Sequence, residues 1–185
     1  GKHVMVEKPI ETTLGRCDEL VRACAEAGVV LGAIFPRRFE ESSLALKSAI
    51  DAGRFGRIVL ADVAIKWWRS QEYYDTGGWK GTWELDGGGA LMNQGIHGID
   101  LLQWLVGGVE SVTGVTDTLA HTGIEVEDVA TAAVRFKNGA LGTIVGSTGA
   151  WPGTKIRIEI CGTEGHVVLQ DEVIHEWNFR HPHSN

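Results

Sequence analysis

The sequence has few cysteines, no long apolar run and fewer basic than acidic residues, and these shortages exclude several classes of protein. Its three cysteines form no CxxC pair and are odd in number, which disfavours a disulfide-framed secreted protein and favours a reducing cytoplasm. The 17 Lys and Arg against 24 Asp and Glu give a formal charge of −7, without a basic tract, so nucleic-acid binding is not expected. No uncharged apolar run approaches the roughly 18 residues of a membrane helix, so no membrane partner is expected. With 43% hydrophobic and 22% charged residues among 185, the chain is predicted to fold into one or two cores.

The beginning of the chain predicts a βαβ unit. Residues 3–6 form a short β-branched run typical of a buried strand, and residues 29–35 form a second one. Between them, apolar residues recur at steps of three and four, which predicts a helix capped by Thr12 or Thr13 and ended by Gly28. Two strands joined through a helix lie parallel in one sheet. Since one such unit cannot cover its own sheet, a preceding part of that sheet is expected.

The rest of the chain predicts that the fold is mixed α/β, with the βαβ unit followed by an α+β part. Helices are predicted at residues 40–53 and 90–106, a strand at residues 56–68, and an irregular segment between them. After Gly107 the pattern changes to short strands, which are joined by turns such as Lys137-Asn138-Gly139 and therefore favour a mainly antiparallel sheet. These later strands are predicted at residues 109–119, 128–136, 140–148, 154–161 and 166–174.

The 90–106 helix places four functional groups on one side. At 100° per residue, Asn93, His97, Asp100 and Trp104 share a face, and apolar residues occupy the other. In one interpretation this face is half-exposed and His97 is solvated or bonded to Asp100. In the other, His97 faces a pocket as a general base, because its ordinary pKa of about 6.5 suits that role.

Two strand ends and a glycine run are further candidates for binding. Lys8 follows the first strand and Arg37-Arg38 follow the second, so parallel strands would direct these cations into one crevice. Gly87-Gly88-Gly89 precedes the long helix and favours either a turn or an anion bound to helix N–H groups. No G-x-G-x-x-G fingerprint of dinucleotide binding occurs in the sequence.

Tryptophan is concentrated in the irregular segment. Four of the seven tryptophans fall within residues 67–83, beside Arg69 and Lys80. Such aromatics either pack the loop onto the sheet or form a sugar-binding wall in which the two cations reach hydroxyl or anionic groups, and the two interpretations are compatible. Several histidines show no metal-ligand spacing with cysteine or acidic residues, and no metal site is predicted. They are His121, His166, His175, His181 and His183.

Together these segments resemble the Gfo/Idh/MocA family of NAD(P)-dependent oxidoreductases. The resemblance covers nearly the whole chain and is carried by GKHVMVEKP at 1–9, PRRF at 36–39, AGRFGRI at 52–58 and WKGTWELDGGGALMNQGIHGIDLLQWLVG at 79–107. It implies that residues 1–36 are the last part of a Rossmann domain. Residues 37–185 would be a substrate-binding and oligomerisation domain, truncated near its end, with an open sheet covered on one face by helices.

The resemblance also implies site residues. Lys8 matches the lysine of the family's Glu-Lys-Pro motif, with a Lys8–Pro9 bond that can be cis, and His97 matches the histidine of its Gly-x-His-x-x-Asp motif, so both are expected to be catalytic. Many relatives have an aspartate where this sequence has Asn93, which leaves an amide in place of a second carboxylate. The cofactor, NAD or NADP, is expected at Glu7, Lys8, Pro9 and Arg38. The substrate is expected at Arg37, Arg69, Lys80, Asn93, His97 and Asp100.

The implied function is hydride transfer between NAD(P) and a hydroxyl carbon of a sugar, nucleotide sugar or cyclitol. The alternatives are the family's NAD-dependent glycosidases and a non-catalytic sugar-sensing or regulatory paralogue. A homo-oligomer formed through the open sheet face is expected. Because the family's glycine-rich phosphate loop should precede Gly1, this chain alone is expected to bind NAD(P) weakly or not at all and to be inactive.

Overall fold

A computed structural model describes residues 1–181 and confirms the opening βαβ unit. Strands β1 (Val4–Val6) and β2 (Leu31–Ala33) are parallel neighbours, and helix α1 (Leu14–Glu26) connects them. Thr13 is the cap, because its hydroxyl accepts a hydrogen bond from the Arg16 N–H at 3.4 Å. Gly28 follows the helix with φ +63°, a conformation that glycine adopts without steric cost.

The remaining described residues form a seven-stranded sheet with helices beside it. The helices are α2 (Glu41–Asp51), α3 (Gln71–Asp75) and α4 (Ile96–Val106), and a short 3₁₀ turn covers Pro36–Phe39. The strands are β3 (Ile58–Lys66), β4 (Val109–Asp117), β5 (Val129–Phe136), β6 (Leu141–Ser147), β7 (Arg157–Gly162), β8 (Gly165–Gln170) and β9 (Val173–Phe179). Their order is β4-β5-β6-β3-β7-β8-β9, and every pair except β3–β6 is antiparallel. The predicted mixed fold with a mainly antiparallel sheet is therefore confirmed.

The core lies between one face of this sheet and helices α2 and α4. Helix α4 approaches β3 closely at Gly98, where an added Cβ would lie 2.8 Å from Ile65 and 2.9 Å from Val63. Leu46 of α2 and Leu101 of α4 are fully buried in the same cluster. This close packing fixes α4, and with it His97, relative to the end of β3.

The opposite face of the sheet has no helix over it among residues 1–181. Its outward residues include Thr131, Ala133 and Val115, the last of which is 72% exposed. We call this surface the open face. In the described part of the chain, no helix is long and apolar enough to cross a membrane.

Two predicted elements are wrong in detail. The strand predicted at residues 166–174 is two antiparallel strands, because Asp171 adopts φ +50° and turns the chain between β8 and β9. The sequence Asp171-Glu172 lacks the glycine or asparagine that marks most such turns, so periodicity alone did not separate the strands. The expected early end of the sheet and His183 fall in residues 182–185, outside the described residues.

The second difference concerns the long helix, which is not a single α-helix from residue 90. Its first turn, Leu91–Gly95, is a π turn, in which the Gly95 N–H donates to Ala90 O at 2.7 Å, and α4 begins only at Ile96. Because the wider turn holds an extra residue, the angles predicted for Asn93 relative to His97 and Asp100 do not apply across this turn.

Candidate active site

Lys8 lies immediately after β1 and contacts the π turn. Its Nζ donates a hydrogen bond to the main-chain oxygen of Asn93 at 2.9 Å and lies 3.3 Å from the Asn93 side-chain oxygen. The Lys8–Pro9 peptide is cis, as the family resemblance implied. A strand end and a helix start that are 85 residues apart in sequence therefore meet at one ammonium group.

His97 follows in the first turn of α4 and stands in the field of the same ammonium group. The pKa of His97 falls from 6.5 to about 4, because burial and, to a lesser extent, the positive charges of Lys8 and Arg37 outweigh the opposing charges of Asp100 and Glu7. The Nδ1 atom of His97 is buried and has no hydrogen-bond partner among the described residues. The imidazole is therefore neutral near pH 7 and remains able to accept a proton.

Acidic groups balance the charge of Lys8. Burial lowers the pKa of Lys8, while the carboxylates of Glu7 and Asp86 oppose that shift. Burial in turn raises the pKa of Asp86, although the Gly81 N–H donates to its carboxylate at 3.0 Å. A partly desolvated ammonium group interacts more strongly with a nearby developing negative charge than a solvated one does.

Asp100 interacts with Arg38 and forms no hydrogen bond with His97. Arg38 donates from Nε to Asp100 Oδ2 at 2.8 Å and from Nη2 to the other carboxylate oxygen, which is a two-pronged ion pair. The Arg38 guanidinium also lies 6.0 Å from the centre of the Trp104 ring. The suggested bond between His97 and Asp100 is thus wrong, because an arginine from the segment after β2 takes that carboxylate. The assignments of Arg38 to cofactor and Asp100 to substrate stay predictions.

Arg69 and Lys80 both lie against aromatic rings. Arg69 lies 5.0 Å from the ring centres of Trp67 and Tyr73, and Lys80 lies 3.8 Å from that of Tyr73. Lys80 Nζ also donates to Tyr73 O at 3.2 Å. These contacts are those of the packing interpretation, and the roles of both cations in substrate binding stay predictions.

The glycine run before the π turn is occupied by the protein itself. The Glu127 carboxylate accepts hydrogen bonds from the N–H groups of Gly89 at 2.8 Å and Leu91 at 2.9 Å. The main-chain oxygen of Glu127 accepts another from the Ala90 N–H at 2.9 Å. The Glu127 carboxylate therefore occupies the N–H groups at which an external anion was one of the two predicted possibilities, and the turn-making interpretation applies here.

Two cavities lie near these residues. The first has a volume of about 420 Å³, and we call it the tryptophan cavity. It is lined by Arg37, Trp67, Trp68, residues 152–156 and Asp171. The second, of about 300 Å³, we call the lysine cavity. It is lined by Lys8, Pro9, Ile10, Glu11, Thr12, Trp79, Leu85, Asp86 and Asn93.

Sequence reasoning missed four acidic or basic residues of this region. Asp86 and Glu127 support the lysine and the π turn, while Lys155 and Asp171 come from loops around the tryptophan cavity. Asp86 had one usable signal, since it directly precedes the glycine run. The other three are joined to the site only through contacts between distant parts of the chain.

One histidine has acidic and cysteine neighbours that its sequence spacing does not reveal. His166 lies on the open face with Cys161 and Glu159, and their ligand atoms are all within 4.8 Å of one another. The sequence spacing of His166, from which no metal site was predicted, did not reveal these neighbours, because cross-strand pairing joins residues that sequence spacing separates. His166 Nε2 lies 2.8 Å from Glu159, and Arg157 contacts the same carboxylate at 2.6 Å, so the Glu159 carboxylate already has two partners from the protein.

Residues 1–35 match a family of oxidoreductases with an NAD-binding Rossmann fold. The GFO/IDH/MocA C-terminal domain matches residues 43–168. The chain therefore belongs to the Gfo/Idh/MocA family, which confirms the resemblance drawn from the sequence.

Individual relatives agree with this membership. The chain is 33% identical to myo-inositol 2-dehydrogenase of Thermotoga maritima, over 90% of this chain and 48% of that protein. It is 31% identical to 2,7-anhydro-N-acetylneuraminate hydratase of Mediterraneibacter gnavus, over 89% of this chain and 47% of that protein. The WlbA dehydrogenase of Bordetella pertussis, solved with NADH and UDP-GlcNAcA, is 44% identical with a TM-score of 0.93, over 98% of this chain and 56% of that one. The chain thus spans about half the length of the relatives it matches.

The protonation of His97 gives a direct test of the site geometry. Imidazole resonances of the chain, followed by NMR against pH, are expected to give a His97 pKa well below 6.5, near 4. Lys8→Met removes a positive charge beside the ring and is expected to raise that pKa. Lys137→Met, in the distant turn between β5 and β6, is the control and should leave it unchanged. A His97 pKa at or above 6.5, or one that Lys8→Met does not raise, would contradict the convergence of the two side chains.

Proposed function

We propose that this chain carries the reaction centre of an NAD(P)-dependent oxidoreductase that acts on a hydroxyl carbon of a sugar, nucleotide sugar or cyclitol. The observation that carries the proposal is the approach of the Lys8 ammonium to the turn that leads into His97. The relatives named above, two dehydrogenases and a hydratase, support a carbohydrate or cyclitol substrate. In this proposal residues 1–36 belong to the cofactor domain and residues 37–185 to the substrate domain.

The residues around Lys8 fit the ring end of a nicotinamide cofactor. A largely apolar cavity of about 390 Å³ adjoins the lysine cavity and is lined in part by Pro9, Phe35 and Met92, which suits a flat ring. In this proposal Glu7, Lys8, Pro9 and Arg38 hold the cofactor, and NAD or NADP when bound supplies the acceptor for the hydride that leaves the substrate carbon.

His97 and Lys8 have separate tasks in the proposed reaction. The neutral imidazole of His97 accepts the proton of the substrate hydroxyl at a ring nitrogen. The Lys8 ammonium, held by Asn93, stabilises the negative charge that develops on the same oxygen. The Asn93 amide binds a neighbouring hydroxyl. A negatively charged substrate would offset the charges of Lys8 and Arg37 and raise the pKa of His97 towards the working pH.

Turnover in an enzyme that joins this chain to a full Rossmann domain tests the proposal. Reduced nicotinamide is expected to accumulate with a sugar, nucleotide-sugar or cyclitol substrate, and substitution of Lys8 or His97 is expected to remove most of that turnover. Release of an aglycone without net reduction of the cofactor would instead support the glycosidase alternative. The dehydrogenases among the relatives make that alternative less favoured than the dehydrogenase function. Saccharide binding without turnover on either cofactor would support the regulatory alternative.

We also propose that the open face pairs with a second copy of the chain, in a cytoplasmic homo-oligomer. Its exposed Val115, Thr131, Ala133 and Leu141 offer a broad surface of small and apolar side chains. Sedimentation velocity is expected to give a mass above that of one chain, and Val115→Asp is expected to shift it to the monomer. A monomeric wild-type chain would contradict the pairing. The cytoplasmic location stays a prediction, supported by the three free cysteines.

A further inference from the structure

We propose that Glu159, Cys161 and His166 bind a Zn²⁺ ion on the open face, at the hairpin that joins β7 to β8. Their ligand atoms all lie within 4.8 Å of one another. The open face is the side of the sheet away from helix α4, so this site is separate from the one at Lys8 and His97. The bound ion ties β7 to β8 near one edge of the sheet.

The pairing of β7 with β8 brings the three side chains together. Glu159 and Cys161 are two residues apart on β7, so their side chains share a face of the sheet. His166 lies directly opposite Cys161 in the antiparallel ladder, and side chains at such positions start about 5 Å apart. The alternate residues of β7, Ile158 and Ile160, are buried in the core, so the three ligands point to the open face.

Each ring nitrogen of His166 faces a carboxylate. Nε2 lies 2.8 Å from Glu159 Oε1, and Nδ1 lies 3.4 Å from Glu176 Oε2. A histidine that binds a metal through one nitrogen usually donates the proton on its other nitrogen to a carboxylate, carbonyl or water. With that proton on Nδ1 and directed at Glu176, the lone pair of Nε2 is available to an ion that lies between the ring and Glu159.

The Glu159 carboxylate has one oxygen for the ion and one that is already held. Arg157 contacts Oε2 at 2.6 Å, while Oε1 faces His166. Carboxylates that bind metals are commonly fixed by a second contact of this kind. The ion takes the place of the hydrogen atom between Oε1 and Nε2. The contacts that Glu159 makes within the protein are therefore compatible with metal binding.

The charges around the site favour a cation. Asp62 on β3 lies directly opposite Glu159, and like charges at opposed positions destabilise a sheet. Glu176 on β9 adds a third carboxylate beside His166. Arg157 offsets one of these negative charges. A divalent ion would offset more of the repulsion.

The donor atoms select zinc. Zn²⁺ accepts sulfur, imidazole nitrogen and carboxylate oxygen at about 2.0–2.3 Å, whereas Mg²⁺ and Ca²⁺ require oxygen ligands. Ligand atoms of a tetrahedral site are about 3.3–3.7 Å apart, so side-chain movements of about 1 Å complete the site, and water fills the fourth position. Burial raises the pKa of the Cys161 thiol, so binding displaces the thiol proton, as a directly coordinated cation does.

Metal binding to the chain, freed of metal by chelation, tests the proposal. Titration in competition with a chromophoric chelator is expected to give one Zn²⁺ per chain, and excess Mg²⁺ should not displace it. Co²⁺ in the same site should show the visible bands of tetrahedral coordination and a thiolate-to-metal charge-transfer band. At a free concentration about 100 times Kd, Zn²⁺ should raise the midpoint of thermal unfolding by about 5 °C or more.

Substitution of the ligands assigns the ion to this site. Cys161→Ser and His166→Gln are each expected to weaken Zn²⁺ binding about 100-fold or more, and Glu176→Gln, which removes a supporting contact, about tenfold. The controls are Cys17→Ser in α1 and His175→Gln in β9, which should bind zinc as the wild type does. Without metal, the ligand variants should unfold near the wild-type midpoint, which separates a loss of binding from a loss of folding.

Three results would each overturn the proposal. The first is the absence of stoichiometric binding. The second is zinc binding of wild-type affinity in both the Cys161 and the His166 variants, which would place the ion elsewhere. The third is a Co²⁺ spectrum without the charge-transfer band, since the thiolate would then not be a ligand.

Discussion

Replacement of His97 by glutamine is expected to lower kcat by a factor of about 10² to 10⁴, the usual contribution of a general base. Turnover is measured in an enzyme in which this chain is joined to a full Rossmann domain. Glutamine keeps the approximate size and polarity of the side chain but cannot take up the hydroxyl proton. Because His97 is only half-buried, the fold should survive, and near-ultraviolet circular dichroism is expected to match that of the wild type.

Lys8→Met in the same enzyme is expected to cause a loss of similar order, since it removes the charge that we propose stabilises the developing alkoxide. The two losses should combine less than multiplicatively in the double variant, because in the proposed reaction both groups act on the same oxygen. His175→Gln, an exposed histidine of β9, is the control and should keep full turnover. Wild-type turnover in both single variants would reject the assignment of the reaction to this site.

Gly89→Ala is expected to lower the free energy of unfolding by about 3 kcal/mol or more, near the upper end of overpacking costs. An added Cβ at Gly89 would lie 1.7 Å from the main-chain oxygen of Glu127. The obstacle is backbone rather than a flexible side chain, so either the 87–91 segment or the Glu127 loop must move. Such a movement also strains the hydrogen bonds that Gly89 and Ala90 make to Glu127. For a chain of this size the midpoint of thermal unfolding should fall by about 10 °C.

Gly15→Ala is the control for this change. Gly15 lies in α1, and an added Cβ there meets nothing within 4 Å. Alanine is a better helix former, so this variant is expected to gain about 0.5–1 kcal/mol. Thermal melts followed by circular dichroism measure both variants. Equal midpoints of thermal unfolding for Gly89→Ala and the wild type would show that Gly89 lies farther from the main-chain oxygen of Glu127 than in this structure.

The parts of the fold that follow from local periodicity were predictable from the sequence. The βαβ unit has strong apolar spacing, a threonine cap and a glycine stop, and all three are found. The turn at Asp171 was not predictable, because it lies within a continuous strand-like run. The π turn at Leu91–Gly95 was not predictable either, since its shape depends on Glu127, which is 36 residues away from Leu91.

The candidate site likewise has parts that were predictable from the sequence and parts that were not. The approach of Lys8 to the 90–106 segment was implied by the family resemblance, whereas the position of Lys8 at the carboxyl end of a parallel strand predicted only a crevice shared with Arg37-Arg38. The partner of Asp100 did not follow, because the helical face alone cannot show that Arg38 reaches across from another element. Lys155 and Asp171 were missed for a related reason. Each belongs to a loop whose position is set by strand order, and strand order is not written in the spacing of a single segment.

Because of the π turn, the number of residues between positions 91 and 95 is strictly constrained. Deleting one residue between 91 and 95 would convert the turn to ordinary α geometry and rotate the first half of the segment against the second by about 100°. The Asn93 contact to Lys8 and the direction of the His97 ring could not then both be kept. When this helix is grafted into a related protein, or aligned with a related sequence, the number of residues in the turn must be kept for the site geometry to be kept.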